Sequence, residues 1–292
     1  MKLLNTLQSY LLFVLSRIPF WQVYLYSDVV AWVFTHVISY RRKLVLGNIA
    51  RAFPEKSERE RRAIMHLFYR NLADVMLEVI KLKSMSRDQI NKRMKLTNAE
   101  VLKQFDEQGR SVILAAGHFS NWEWLGIRVK SETSHQGAAI YKQVASKFYN
   151  DYLLGIRNTF EETLMIEHEK TSRSLIRLKN SKILLMVLSD QRPPSTELKY
   201  WIPFLGQETP VLPGVEKIAN AFDFDVVYFD ICRIKRGYYE VTFIPLKLAE
   251  EQEQELVLTK RYFEEIEKSV HRQPECYLWS HNRWKYDKNN LN

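Results

Sequence analysis

The run Val112-Ile113-Leu114-Ala115-Ala116, entered from a turn at Gly109 and followed at once by Gly117-His118, constrains this chain more than any other stretch. An apolar run of that length bounded by turn signals reads as a buried strand. Gly117 ends the strand and leaves His118 at its carboxyl lip, where open α/β sheets bind ligands. Ser120 or Asn121 can then cap a helix that carries Trp122, Glu123 and Trp124 forward. A histidine and a carboxylate set across a strand-to-helix turn in this way can meet at one edge of the sheet.

That pair suits proton transfer. A neutral imidazole can take a proton from a hydroxyl near neutral pH, because its unperturbed pKa lies close by. A carboxylate on the other ring nitrogen fixes the tautomer and stabilises the imidazolium that forms. Together they would let an acceptor alcohol attack an activated acyl group directly. Spacing alone also fits a purely structural role, since Ser120-x-x-Glu123 is a capping box and strand-end histidines often serve as hydrogen-bonded structure.

The rest of the chain supplies the setting. Ser57-x-x-Glu60 is a capping box that opens a long amphipathic helix through Lys83. Its expected apolar stripe is Ile64, Leu67, Phe68, Leu72, Val75, Met76 and Val79. Another helix is expected over Asn98 to Glu107. Strands are expected at Ala138–Tyr141, Leu164–Glu167 and Ile183–Leu188, with amphipathic stretches at Lys147–Phe160 and Ser172–Lys179 between them. Val226–Ile234 and Tyr239–Ile244 form a hairpin around Arg236-Gly237, and Glu250 to His271 forms a charged helix. Gln191 opens a long aromatic loop through Tyr200-Trp201-Ile202-Pro203-Phe204-Leu205-Gly206. This alternation implies an α/β single domain, a mostly parallel mixed sheet covered by helices on both faces.

Residues Met1 to Ser39 are apolar and aromatic, but Lys2, Arg17, Asp28 and Pro19 interrupt them before any charge-free run reaches the roughly 18–20 residues of a spanning helix. Helices are expected at Leu3 to Ser16 and Val29 to Tyr40, with Arg41-Arg42-Lys43 following. The pattern reads as an N-terminal membrane-anchoring helical segment over residues 1–40, ahead of an α/β domain over 41–292. A buried helix pair would look much the same. The net charge of +9 suggests an acidic partner. Arg/Lys groups recur at Arg173, Arg177 and Lys179 and at Arg233-x-Lys235-Arg236. The 2 cysteines, Cys232 and Cys276, have no metal-ligand spacing, so neither a zinc site nor a disulfide scaffold is expected.

Gly117-His118-Phe119-x-Asn121-Trp122-Glu123 resembles the H-x-x-x-x-E motif of the lipid A late acyltransferases, the Kdo-dependent lauroyl/myristoyl transferases of Gram-negative bacteria. Further blocks fit in order: Tyr40-Arg41-Arg42-Lys43, Ile140-Tyr141-Lys142, Arg157, Ser189-Asp190-Gln191, Pro203-Phe204-Leu205-Gly206 and Pro274 through Lys285. The resemblance implies His118 and Glu123 as the catalytic pair, Glu123 holding His118. It further implies substrate or oxyanion binding by Arg157 and Asp190, with Asn121, Tyr141, Lys142 and Gln191 beside them. Where family members often carry Tyr-Arg-Pro, this chain has Tyr141-Lys142-Gln143, and Lys does not reproduce the planar fork of Arg.

No G-x-S-x-G elbow, Walker A loop or dinucleotide fingerprint occurs, so direct transfer without a covalent acyl-enzyme is the simplest mechanism. The resemblance implies an acyl carrier protein thioester as donor and an anionic glycolipid, a lipid A precursor, as acceptor. It also implies work at the cytoplasmic face of the cell inner membrane, with no metal and no cofactor. An acyltransferase on another membrane lipid, such as an aminolipid or lysophospholipid, is the nearest alternative. A non-catalytic peripheral lipid-binding protein comes next. Nucleic acid is not expected as a partner, since no binding motif accompanies the charge.

Overall fold

The computed structural model describes residues 2–160, 163–248 and 254–288. The chain opens with helices α1 (Lys2–Arg17), α2 (Phe20–Trp32), α3 (Arg42–Ala52), α4 (Glu58–Leu82) and α5 (Arg87–Arg93). It continues through β1 (Met94–Leu96), α6 (Glu100–Glu107), β2 (Val112–Ala116), α7 (Trp122–Arg128), β3 (Gln136–Tyr141), α8 (Lys147–Arg157), β4 (Thr163–Glu167), α9 (Thr171–Arg177) and β5 (Ile183–Leu188). The remainder is β6 (Tyr200–Phe204), β7 (Gln207–Val211), α10 (Gly214–Phe222), β8 (Asp225–Lys235), β9 (Tyr238–Lys247) and α11 (Val257–Arg272). Of the charged helix expected over Glu250 to His271, residues 250–253 lie outside the described residues.

Among the described residues one sheet has 7 strands in the order β1-β9-β8-β2-β5-β3-β4. Strands β8, β2, β5, β3 and β4 run parallel to one another; β9 is antiparallel to β8 and parallel to β1. The parallel sheet is thus as expected. Strand β2 sits inside it with all of its residues buried, as its uninterrupted apolar run requires. Register fixes the lip: Ala116 of β2 lies opposite Leu188 of β5.

The stretch expected as a long loop is instead a second sheet, the antiparallel pair β6–β7. Leu205 and Gly206 turn it with φ of 50° and 70°, as a tight two-residue hairpin turn requires. Leu205 is a poor left-handed residue, and its N–H is held by the Glu267 carboxylate at 3.0 Å. The sequence lacked the usual Asn or Asp at that place, so the hairpin was hidden.

Helix α4 begins with the expected capping box. The Glu60 carboxylate accepts the Ser57 N–H at 2.8 Å, and Ser57 Oγ accepts the Glu60 N–H at 3.3 Å. Its inner face differs from the expected stripe. Leu67 and Met76 are each 46% exposed, whereas Asn71, Asp74, Glu78 and Lys81 are buried at helical spacing. Buried polar groups must be paired, and these are. Asp74 accepts from Ser27 Oγ at 2.5 Å, from Arg233 at 2.5 Å and from Arg236 at 2.6 and 2.9 Å. Asn71 accepts from Arg233 at 2.9 Å, and Lys81 donates to the Ser16 carbonyl at 2.7 Å.

These bonds seat the N-terminal helices. Helix α2 begins at Phe20, directly after Pro19, so the second helix starts earlier than Val29. Its inner face carries Val23, Ser27 and Ala31, and Asp28 pairs with Arg236 at 2.8 Å. At the β8–β9 turn, Gly237 has φ 71°, and a Cβ there would collide with the Tyr24 hydroxyl. The outer faces of α1 and α2 expose Leu7, Leu11, Trp21, Leu25, Val29 and Trp32. Among the described residues no helix is long and apolar enough to cross a membrane.

Removing Asp74 would take the buried carboxylate from Arg233 and Arg236, leaving the first with Asn71 and the second with the more exposed Asp28. Breaking one side of such a pair costs on the order of 3 kcal/mol. Asp74→Ala should therefore lower unfolding stability by about that amount in urea melts; a loss under about 1 kcal/mol would show that solvent compensates both arginines.

Candidate active site

His118 and Asp190 each stand two residues beyond an opposed pair, Ala116 and Leu188, at the carboxyl ends of neighbouring parallel strands. Equal offset from an in-register pair brings the side chains together, and His118 Nδ1 lies 2.5 Å from Asp190 Oδ1. Burial by itself would raise the Asp190 carboxyl. The His118 imidazole and its hydrogen bonds, with the charge of Arg283, outweigh this and hold it below the ordinary carboxylate range. With Asp190 accepting the Nδ1 proton, the basic lone pair of His118 is on Nε2. Gln191 Nε2 lies 3.4 Å from that nitrogen, and the ring of Trp122 stands edge-on at 5.0 Å.

The carboxylate facing His118 is therefore Asp190, and the expectation that Glu123 holds the imidazole is corrected. Glu123 instead forms a two-point pair with Arg157, Nε to Oε2 at 2.9 Å and Nη2 to Oε1 at 2.6 Å. Burial would lower the Arg157 pKa, but the hydrogen bond and charge of Glu123 raise it above the ordinary value. This fork-on-fork geometry leaves three of the five guanidinium N–H groups outside the pair. The capping-box alternative for Glu123 also fails, because the helix cap is Asn121, whose Oδ1 accepts the Trp124 N–H at 3.3 Å. Ser120 is left-handed, at φ 54°.

Several groups fix the lip. Tyr262 of α11 clips the two strand ends: its hydroxyl donates to the Ala116 carbonyl at 2.6 Å and accepts the Ser189 N–H at 3.0 Å. The 118–121 turn is bound from the other side, by an isolated bridge from Phe119 to Tyr277 and by Ser120 N–H donating to the Cys276 carbonyl at 2.9 Å. Gly117 has a packing role, since a Cβ would stand 3.3 Å from Ile266. Arg283 is buried, with its guanidinium over the Phe263 ring at 5.6 Å.

The remaining candidates divide. Asn121 is fully buried and donates to Glu78 at 2.7 Å, so it faces the core rather than a substrate. Tyr141 ends β3 at the same lip and donates to Glu167 at 3.5 Å; Lys142 follows it and is exposed. Neither belongs to the His118–Asp190 or Glu123–Arg157 pairs. Of the basic clusters, Arg173, Arg177 and Lys179 are exposed, whereas Arg233 and Arg236 are committed to Asp74 and Asp28. Among the described residues no His/Cys/Asp/Glu group could hold a metal ion. Tyr262 and Glu78 escaped sequence reasoning because a tyrosine or a glutamate on an amphipathic helix carries no local sign of what it meets.

His281 accepts the Arg192 N–H on Nε2 at 3.1 Å. Burial pulls its pKa from the ordinary 6.5 to about 4; Asp190 opposes the shift, and Arg283 and Arg192 add to it. The folded protein holds this imidazole neutral while the unfolded chain protonates it, so stability falls as pH drops from about 6.5 to about 4. The loss from this group is at most about 3 kcal/mol. His281→Gln keeps an acceptor and removes the titration, so urea melts across that window should show a shallower slope. An unchanged slope would assign the dependence to other groups.

Among curated proteins none matches the chain. The family model for bacterial lipid A biosynthesis acyltransferases matches residues 3–286, from α1 past α11, and the chain belongs to that family of acyltransferases.

Proposed function

We propose that this acyltransferase moves a fatty acyl chain from an acyl carrier protein thioester to a hydroxyl of a lipid A precursor, with His118 as general base, at the cytoplasmic face of the inner membrane. The observation that carries the mechanism is the 2.5 Å contact between His118 Nδ1 and Asp190. It leaves Nε2 as the proton acceptor at the lip of the sheet. The acceptor oxygen attacks the thioester carbonyl as its proton passes to Nε2, and the new C–O bond puts negative charge on the carbonyl oxygen. Arg157, steered by Glu123, lies on the same side of the site in this reading and receives that charge. Collapse breaks the C–S bond, and the imidazolium returns its proton to the departing thiolate. Glu123 thus acts through Arg157, and Asp190 does the work first expected of Glu123.

The donor and the surface rest on charge and apolar exposure. Exposed Arg173, Arg177 and Lys179 suit an acidic carrier protein, whose attraction salt would screen. The outward side chains of α1 and α2, followed by Arg41-Arg42-Lys43, suit helices lying in an anionic membrane interface rather than crossing it.

Turnover of purified protein with carrier-protein thioesters and a defined lipid A precursor tests the chemistry. His118→Ala and Asp190→Asn should each lose roughly 10²–10⁴ in rate while staying folded. Asp190→Asn acts by replacing the carboxylate with an uncharged amide whose NH2 can face Nδ1 and favour the other tautomer. Near-normal turnover in Asp190→Asn beside an inactive Glu123→Gln would return the orienting role to Glu123. Flotation tests the surface: the chain should rise with anionic vesicles, and Leu25→Ser or Val29→Ser should weaken this by roughly tenfold each. Equal flotation of wild type and both variants would remove this face from membrane contact.

A further inference from the structure

Glu78 is the most enclosed carboxyl of α4, with no exposure, and it faces the turn that carries His118 and Glu123 rather than another charge. Its Oε2 accepts from Asn121 Nδ2 at 2.7 Å and from the Tyr239 hydroxyl at 2.6 Å. Its Oε1 accepts from the Tyr24 hydroxyl at 2.9 Å. Its backbone carbonyl accepts the indole N–H of Trp124 at 3.1 Å. The bonds to residues 121 and 124 therefore bracket Glu123, and the first of them lies three residues from His118. Asn121 cannot turn away, because its other amide atom caps α7 at Trp124. The indole is closed in by Tyr239, edge-on at 5.8 Å, and by Phe20 at 6.2 Å.

We propose that Glu78 is a positioning residue: through Asn121 and Trp124 it holds the 118–123 turn so that His118 meets Asp190 and Glu123 meets Arg157, and through Tyr24 it makes helix α2 part of that support. The reading rests on His118 as the base. A buried carboxyl that only stabilised the core would not need its acceptors divided between the catalytic turn, the N-terminal helix and β9. An acceptor buried without water holds its donors to a narrow geometry, since leaving one unpaired costs more than the bond contributes in water. A displacement of about 1 Å at a reacting group can cost about 10² in rate. Burial pushes the Glu78 carboxyl above its usual range, against the hydrogen bonds of Tyr239, Asn121 and Tyr24, and what these three donors require of residue 78 is acceptor geometry. A glutamine can supply it, with Oε1 toward Asn121 and Tyr239 and Nε2 donating to the Tyr24 oxygen.

The test uses the full-length chain in detergent, a lauroyl carrier-protein thioester and a purified lipid A precursor. Its second readout is the rate at which diethyl pyrocarbonate modifies His118, followed by mass spectrometry, which needs no substrate. Glu78→Ala should lower kcat by about 10- to 100-fold with KM within about 3-fold, and change His118 modification several-fold. Glu78→Gln should recover most of both. Asn121→Ser keeps a capping oxygen but is too short to reach Glu78, so it should repeat the Glu78→Ala effect even if Glu78→Ala fails to fold. The double variant Glu78→Ala/Asn121→Ser should be no worse than Glu78→Ala, because that change already cuts the link to Asn121. Wild-type kcat and His118 modification in Asn121→Ser, or fully additive losses, would overturn the proposal. His118→Ala run alongside separates the two claims. Full turnover in it removes the base assignment, whereas an inactive His118→Ala beside a fully active Asn121→Ser removes the positioning role alone.

Discussion

Two carboxyl groups on one helix, Asp74 and Glu78, are buried away from bulk solvent, and the surrounding chain is arranged to supply their donors. Asp74 draws in α2 through Ser27 and the β8–β9 turn through Arg233 and Arg236. Glu78, one turn on, draws in α2 through Tyr24, β9 through Tyr239 and the start of α7 through Asn121. One helix face thus fixes the relative places of the N-terminal helices, the edge of the sheet and the turn that carries His118. Apolar packing alone would hold these elements together with far less control of angle and register, since it is non-directional.

The active-site lip follows from a second constraint, strand register. Parallel strands in register put residues at equal offsets side by side. Because Ala116 opposes Leu188, the residues two steps on must meet if both chains continue in similar directions, and Tyr262 ensures this by bonding to both ends. The pairing of His118 with Asp190 is a property of the sheet. The pairing of Glu123 with Arg157 is a property of helices, α7 at its first turn and α8 at its last residue. The two ion pairs are thus built separately, and the position of Glu123 need not be accurate relative to His118 for the imidazole to keep Asp190.

Much of the fold was legible in the sequence where burial was uniform. The bounds of β2 and β5 follow from runs with no polar residue, and the Ser57 capping box announces the start of α4. The inner face of α4 was not legible. Periodicity identifies a stripe by its apolar members, and here Asn71, Asp74, Glu78 and Lys81 occupy the stripe while Leu67 and Met76 face outward. A buried polar residue and a solvated one look alike until their partners are known, and those partners lie more than 150 residues away at Arg233, Arg236 and Tyr239. The β6–β7 hairpin was hidden for a local reason, a leucine at a left-handed turn position that is stabilised only by Glu267 of a distant helix.

The same distinction explains the error in assigning the carboxylate partner of His118. Sequence proximity favoured Glu123, five residues along, over Asp190, which stands 72 residues away. The register of β2 and β5 brings the residues two steps past Ala116 and Leu188 side by side, whereas Glu123 lies on α7 and is turned to Arg157. Asp190 and Gln191 address the two ring nitrogens of the imidazole, Nδ1 and Nε2, from one dipeptide at the end of β5, and a single strand end sets how His118 is held.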